Sequence, residues 1–318
     1  MPQTRDLRQQ DAVEETPSPT IPSVDFDRLL TSADEVQKLR DTCRQTGFVT
    51  VNNALQESTA ISQAMQQMHR FFALPDSDPM KRSVSVRTTG CRYGWTPLFD
   101  EPAYQPDTLA YVESFDFGRG GENVWPDLPG FRADMKNCWD VVAAIGDSVL
   151  EALALAAGLD RLVFASRCAS RELSTMRLLH YPENHAPMSK NHVGIAAHTD
   201  FECMTLLLQN APGLELRNRA GQWFDAPSDR NQVVVLLGDM IERWTNGYFQ
   251  ATGHRVRNSN EKRMSIVMFF AVDDSVSVAP LPDFTTADRP SMYAPVSQRA
   301  HLAAEVSRAE RNRDNQKE

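Results

Sequence analysis

Residues 196–209 read AAHTDFECMTLLLQ. A histidine and an aspartate, His198 and Asp200, stand two apart at the entrance to an apolar run. A continuous apolar run of this length, bounded by turn residues, fits a strand buried on both faces. In a strand, residues i and i+2 face the same side. One strand over 198–209 would then present an imidazole and a carboxylate to a single metal ion. By itself an H-x-D pair is more often an ordinary ion pair, so the surrounding sequence has to decide.

Working outward, the chain from about residue 173 is a succession of short strand-like runs. LSTMRLLHY (173–181) precedes the opening stretch, and LELR (214–217), QWFDAP (222–227), QVVVLL (232–237), HRVR (254–257) and MSIVMFFAV (264–272) follow it. The turn signals APG, NRAG, GDM, TNG and NSNEK separate them. Many strands at close intervals predict a β-sandwich or jelly roll, with its core over about 173–280.

Helices come earlier. Ser32 and Glu35 form a capping box, Val36, Leu39 and Cys43 recur at helical spacing, and Gly47 ends the run. GFVTVNN (47–53) then reads as a strand. Ile61, Met65, Met68 and Phe71 mark a second helix. A long third one carries Met135, Cys138, Val142, Ile145, Val149 and Leu153 on one stripe. Residues 83–118, irregular and rich in aromatics, read as loops covering something. The expectation is a mixed α/β chain with a mainly β core and flanking helices. It has a polar tail over 1–20, one domain over 21–305 and a charged tail over 306–318.

Composition bounds the function. The 318 residues are 41% apolar and 24% charged, with a formal net charge of -9. No Lys/Arg-rich run stands out, which argues against nucleic acid or an anionic membrane as partner. The first twenty residues hold no apolar segment. Cys43, Cys91, Cys138, Cys168 and Cys203 are scattered and never spaced C-x-x-C. That pattern fits reduced thiols in a cytoplasmic protein better than a disulfide framework.

A metal held by His198 and Asp200 needs a third ligand. His69 lies in a helical stretch, and His185 and His192 lie in a loop with Pro and Asn, where solvation is the ordinary outcome. His254 opens the short strand HRVR inside the β-rich region. Two neutral imidazoles and one carboxylate describe the facial triad of non-haem Fe(II) oxygenases, with positions left open for oxygen and an organic co-substrate. Nine residues after His254 comes R-M-S, placing Arg263 and Ser265 on one strand face. Arg forks onto a carboxylate with two charge-assisted hydrogen bonds, and a serine hydroxyl adds a third donor. Such bonds contribute roughly 1.5–3 kcal/mol each. The competing reading pairs an exposed Arg263 with Glu261 or Asp273. Because Arg263 enters an apolar strand, a buried anion is the better partner.

The run HTDFECMTLLLQNAPGLELRNRAGQWFDAP, then VVVLLGDMIERWTNGYFQATGHRV, then RMSIVMFF, resembles the Fe(II)/2-oxoglutarate-dependent dioxygenases, in their isopenicillin N synthase-like branch. IPSVDF, GFVTVNN, RFFALP, ESFDFG, NVWP, the YP at 181–182 and YAPVSQRAHL fall in the family's order. The resemblance therefore covers nearly the whole chain. It implies a double-stranded β-helix, with His198, Asp200 and His254 as Fe(II) ligands. It also implies that Arg263, Ser265 and Tyr181 bind the distal carboxylate of 2-oxoglutarate. The implied reaction consumes O2 and 2-oxoglutarate, releases succinate and CO2, and oxidises a C–H bond of a small organic molecule.

Phe201 and Phe269 are candidate substrate contacts. Arg177, on the Tyr181 face of its strand, either reaches the pocket or pairs with Glu172 at the rim. Tyr93, Trp95, Phe99 and Tyr104 suggest a partly aromatic or apolar natural product, and Arg87, Arg92 or Arg177 could hold an acidic group. The pocket would be built by residues 83–118, the strand near Arg177 and the segment 281–305. Many relatives carry asparagine where this chain has Leu179 and Leu236, away from the ligand positions. Two other readings remain open at this stage. One is an Fe(II) oxidase of the isopenicillin N synthase type, which uses no 2-oxoglutarate. The other is a jelly-roll protein with a structural metal, or a zinc hydrolase using Glu202 as base.

Overall fold

Ser32 caps the first helix: its side chain accepts from the Glu35 amide, and Gly47 closes the helix in the left-handed conformation at φ 84°. The computed structural model describes residues 21–55, 58–120, 122–183, 192–229, 231–258 and 261–314. The polar tail expected over 1–20, and His185, lie outside these described residues.

The first half of the chain alternates helices with short strands. In order these are β1 (Ser23–Asp25), α1 (Ala33–Thr46), β2 (Phe48–Asn52), α2 (Ala60–Phe72), α3 (Pro79–Ser83), α4 (Val86–Thr89), β3 (Gly94–Thr96), β4 (Leu109–Ala110), β5 (Glu113–Gly118) and the long α5 (Phe131–Ala156). The second half is mostly strand. It runs β6 (Thr175–Tyr181), β7 (His192–Val193), β8 (Ile195–His198), β9 (Met204–Gln209), β10 (Leu214–Arg217), β11 (Trp223–Asp225) and β12 (Gln232–Leu237). Then come α6 (Asp239–Trp244), β13 (Gly253–Val256), β14 (Arg263–Phe270), β15 (Ser277–Val278), β16 (Val296–Ser297) and α7 (Gln298–Asp314).

Two sheets face each other. The larger has the order β1-β2-β12-β9-β14-β6-β5-β3, and the smaller β11-β10-β13-β8. This is the jelly-roll sandwich expected from the strand spacing. Its central strands are buried on both sides and alternate between two cores. On β14, Met264, Ile266, Met268 and Phe270 join the core shared with α1, α2 and α5, while Val267 joins the core between the sheets. The same two-residue period puts Met176 and Leu178 outward and Leu179 and Tyr181 inward on β6. Each large apolar side chain so buried contributes roughly 1.5–3 kcal/mol. Leu179 and Leu236 pack within the inter-sheet core.

Three expectations change. Residues 83–118 are not all loop: β3 and β5 extend the large sheet, and every residue of β5 is buried. The two charges in ESFDFG are buried because they find partners far along the chain. Glu113 meets Lys81 at 2.8 Å and Asp116 meets Arg177 at 2.7 Å. Second, the segment expected as one strand over 198–209 is two strands, β8 and β9, in different sheets. Third, the charged tail expected from residue 306 continues α7 as far as Asp314, with Ala309 buried.

Candidate functional site

The break between β8 and β9 builds the centre. His198 ends β8 in the small sheet, residues 199–203 cross over, and Met204 starts β9 in the large sheet. Asp200 therefore sits on the crossing and shares no strand with His198. The crossing packs closely on the start of α6. The Asp239 amide donates to Asp200 O at 2.9 Å, and the Gly238 amide to Cys203 O at 2.9 Å. A Cβ on Gly238 would lie 2.3 Å from Glu202 O, so only glycine fits there.

His254, on β13, lies directly across from His198 in the small sheet. Ligand atoms of His198, Asp200 and His254 all fall within 4.8 Å of one another, the only such group among the described residues. Asp200 Oδ1 stands 3.8 Å from His198 Nε2 and 3.6 Å from His254 Nε2. Each imidazole is oriented by a main-chain acceptor. His198 Nδ1 meets Ala196 O at 2.8 Å and His254 Nδ1 meets Thr252 O at 3.0 Å. A carbonyl only accepts, so both rings carry the proton on Nδ1 and turn a free Nε2 lone pair toward Asp200. Burial, and then the proximity of His254, hold His198 well below the usual imidazole range. Thr205 completes the set by donating to Asp200 Oδ2 at 2.5 Å. Two neutral nitrogens and one carboxylate oxygen are the donor set that Fe(II) takes.

Deeper between the sheets, Arg263 and Tyr181 are cross-strand partners on β14 and β6. The Arg263 guanidinium lies 4.6 Å from the centroid of the Tyr181 ring. Its Nη2 donates to Gln209 Oε1 at 2.6 Å, and Gln209 is itself anchored through Nε2 to Pro227 O at 2.8 Å. Arg263 is 1% exposed, and burial lowers its affinity for its proton. Arg263 Nε and Nη1, Ser265 Oγ and Tyr181 Oη are all buried without a hydrogen-bond partner among the described residues. Buried polar groups are nearly always satisfied. Four such atoms from three neighbouring residues, one of them a buried cation, fit a carboxylate ligand. The alternative of an exposed Arg263 held by Glu261 or Asp273 does not apply. The guanidinium is buried on Gln209, and Asp273 accepts instead from Ser170.

Aromatic side chains gather beside the triad and mark a candidate substrate chamber. Tyr104 stacks flat on His198, with centroids 4.0 Å apart and planes 6° apart. Phe201 meets Tyr104 at 6.2 Å, and Phe269 lies 5.8 Å from the Arg177 guanidinium. Arg177 does not pair with Glu172. It forks onto Asp116 at 2.9 and 2.7 Å and also reaches Glu101. Arg87 is paired with Asp100, and Arg92 is exposed over Tyr93. Glu202 is buried, and burial followed by the charge of Asp200 pushes its carboxyl up to about 8.

The structure brings His198, Asp200 and His254 into one cluster, and Arg263, Ser265 and Tyr181 onto adjacent strands. Sequence reasoning missed Thr205, Gln209 and the stacking role of Tyr104. Thr205 and Gln209 sit in MTLLLQ, where only a turn and a facing strand make their contacts visible.

Residues 173–272 match the family model for the 2OG-Fe(II) oxygenase superfamily. Residues 21–131 match that of the non-haem dioxygenase N-terminal region, named for morphine synthesis. The chain belongs to the Fe(II)/2-oxoglutarate-dependent oxygenase superfamily, and is a dioxygenase that uses Fe(II), 2-oxoglutarate and O2. Among its relatives is the 2-oxoglutarate-Fe(II) type oxidoreductase hxnY of Emericella nidulans, 30% identical over 82% of this chain and 81% of that one. Another is homoarginine-6-hydroxylase 2-ODD-C23 of Glycine max, 28% identical over 84% and 90%. A full-length Neurospora crassa protein solved in complex with alpha-KG superposes with a TM-score of 0.80, at 26% identity over 94% of this chain and 99% of that one. Oxidation of a C–H bond of a small organic molecule, with release of succinate and CO2, is the function these findings support. No helix among the described residues is long and apolar enough to cross a membrane.

Proposed function

We propose that His198, Asp200 and His254 hold the Fe(II), and that Arg263, Ser265 and Tyr181 hold the distal carboxylate of 2-oxoglutarate. The observation that carries this reading is the set of four unpartnered buried polar atoms beside a three-ligand cluster. The bound metal and keto acid supply oxygen activation; the chain supplies position and charge. Arg263 neutralises the far carboxylate through Nε and Nη1, Ser265 and Tyr181 donate their hydroxyls, and Gln209 keeps the guanidinium plane fixed. The 2-oxoglutarate-independent reading leaves this donor set to a substrate carboxylate and is not favoured by the relatives.

The substrate faces Tyr104, Phe201, Phe269 and Arg177. Three aromatic rings suit a partly apolar or aromatic molecule of the kind met in natural product biosynthesis. Arg177 already carries two carboxylates, so it serves as an oriented N–H donor and not as a free cation for an acid.

The test is spectroscopic. Fe(II) and 2-oxoglutarate are added without oxygen to the apo-protein. A visible charge-transfer band from the chelated keto acid is expected in wild type and is lost in Arg263→Ala at the same 2-oxoglutarate concentration. A wild type that shows no band, and releases no succinate with any compound in a screen, overturns the reading.

A further inference from the structure

Gln298, the first residue of α7, is fully buried. Its Nε2 donates to Phe201 O at 2.9 Å and its Oε1 accepts from the Val272 amide at 3.1 Å. One side chain thus ties the crossing that follows Asp200 to the chain just beyond β14. Three residues along, His301 meets Asp239 Oδ2 at 2.8 Å and turns its ring edge toward Phe201, with centroids 6.1 Å apart. Further along the same helix a second clamp forms. The Ala103 amide donates to Ala309 O at 3.2 Å, and Asn312 Nδ2 donates to Ala103 O at 3.1 Å.

These contacts fall on the two segments that carry the chamber. The first segment holds Phe201. The second holds Glu101, which reaches Arg177, and Tyr104, which stacks on His198. The helix has no continuous apolar face of its own, and its buried points are the places where it grips these segments. A buried amide with both ends satisfied is a directional tie: removing it leaves a carbonyl and an N–H unpaired in the interior.

We infer that Gln298 is a positioning residue that sets the substrate wall at Phe201, and that α7, through Gln298, Ala309 and Asn312, holds both sides of the chamber from outside. The inference rests on assigning that chamber to the substrate. It predicts that loosening α7 disturbs the substrate side while leaving the carboxylate end around Arg263 unchanged.

The experiment is hydrogen exchange by mass spectrometry on the full-length protein loaded anaerobically with Fe(II) and 2-oxoglutarate. The charge-transfer band is recorded on the same samples. Gln298→Ala should speed exchange on the order of tenfold in peptides covering 199–203 and 270–274. Gln298→Glu keeps an acceptor for Val272 but, when ionised, offers no N–H to Phe201. It should loosen 199–203 alone. Asn312→Ala, at a half-buried position, should loosen 100–104 alone. In all three, with Fe(II) kept saturating, the 2-oxoglutarate dependence of the band should stay within about twofold of wild type, since Arg263 is untouched. Uniform loosening that includes β6, or unchanged protection at 199–203 in both Gln298 variants, overturns the inference. Absence of the band in wild type strikes the assignment of the centre instead, so the two failures are distinct.

Discussion

Thr205 donates a 2.5 Å hydrogen bond to Oδ2 of Asp200 across the turn that joins the two sheets. Asp200 is thereby left with Oδ1 toward His198 and His254. Groups that orient metal ligands typically change affinity 10–100-fold when removed. Thr205→Val should weaken Fe(II) or Co(II) binding by about that factor, measured by titration, with little change in shape or volume at the site. Thr205→Ser, which keeps the hydroxyl, should recover most of it. Equal affinities for wild type and Thr205→Val would refute the role.

Arg263 should resist conservative exchange. A lysine keeps the charge but loses the planar fork that addresses both carboxylate oxygens. One charge-assisted hydrogen bond contributes roughly 1.5–3 kcal/mol. Arg263→Lys should therefore raise the 2-oxoglutarate Kd by about tenfold or more, read from the charge-transfer band. Gln209→Ala should act in the same direction and more weakly, because it frees the guanidinium without removing it.

Gly238→Ala should damage both stability and metal binding. Its new Cβ would meet Glu202 O at 2.3 Å and Asp200 O at 3.2 Å, both main-chain atoms that cannot swing aside. Overpacking of this kind costs about 1–3 kcal/mol. The expected result is a lower urea midpoint together with weaker Co(II) affinity. A variant that lost stability but bound metal normally would show that the crossing can shift without moving Asp200.

Lys81 is a purely structural counterpart. Its Nζ is buried, 2.8 Å from Glu113 Oε2, and also bonds Leu74 O at 3.1 Å. Glu113 further accepts from Trp95 at 2.7 Å and meets His180 Nδ1 at 2.7 Å. Breaking a buried pair from one side typically costs about 3–5 kcal/mol. Lys81→Met should lose a stability of that order in denaturant unfolding. The double variant Lys81→Met with Glu113→Gln should lose less than Lys81→Met alone.

What the sequence disclosed was whatever depends on local spacing. Ser32, Glu35 and Gly47 bound α1 because caps act within one turn. Arg263 and Ser265 share a face because strand alternation is local. The change from one strand to two at 198–209 was hidden because nothing in HTDFEC forces a turn; the turn exists to let β9 join a different sheet. Likewise β5 was hidden inside an irregular, aromatic-rich stretch, and Lys81 and Arg177, which neutralise its Glu113 and Asp116, lie 32 and 61 residues away. Thr205 and Gln298 were silent for the same reason. Their hydrogen bonds are set by packing between distant segments, and a threonine or glutamine in isolation signals nothing.

The two clamps of α7 bear on how this chain can diverge. The residues proposed to hold iron and co-substrate span 181 to 265, while Glu101, Tyr104 and Asp116 precede them and α7, which grips the Phe201 and Ala103 segments, follows them. Selectivity can therefore drift through the N-terminal loop and the C-terminal helix while the reaction centre stays fixed. Libraries aimed at new substrates should be drawn from 99–107 and 298–312 together, since a change on one side of the Ala103 clamp is read by the other.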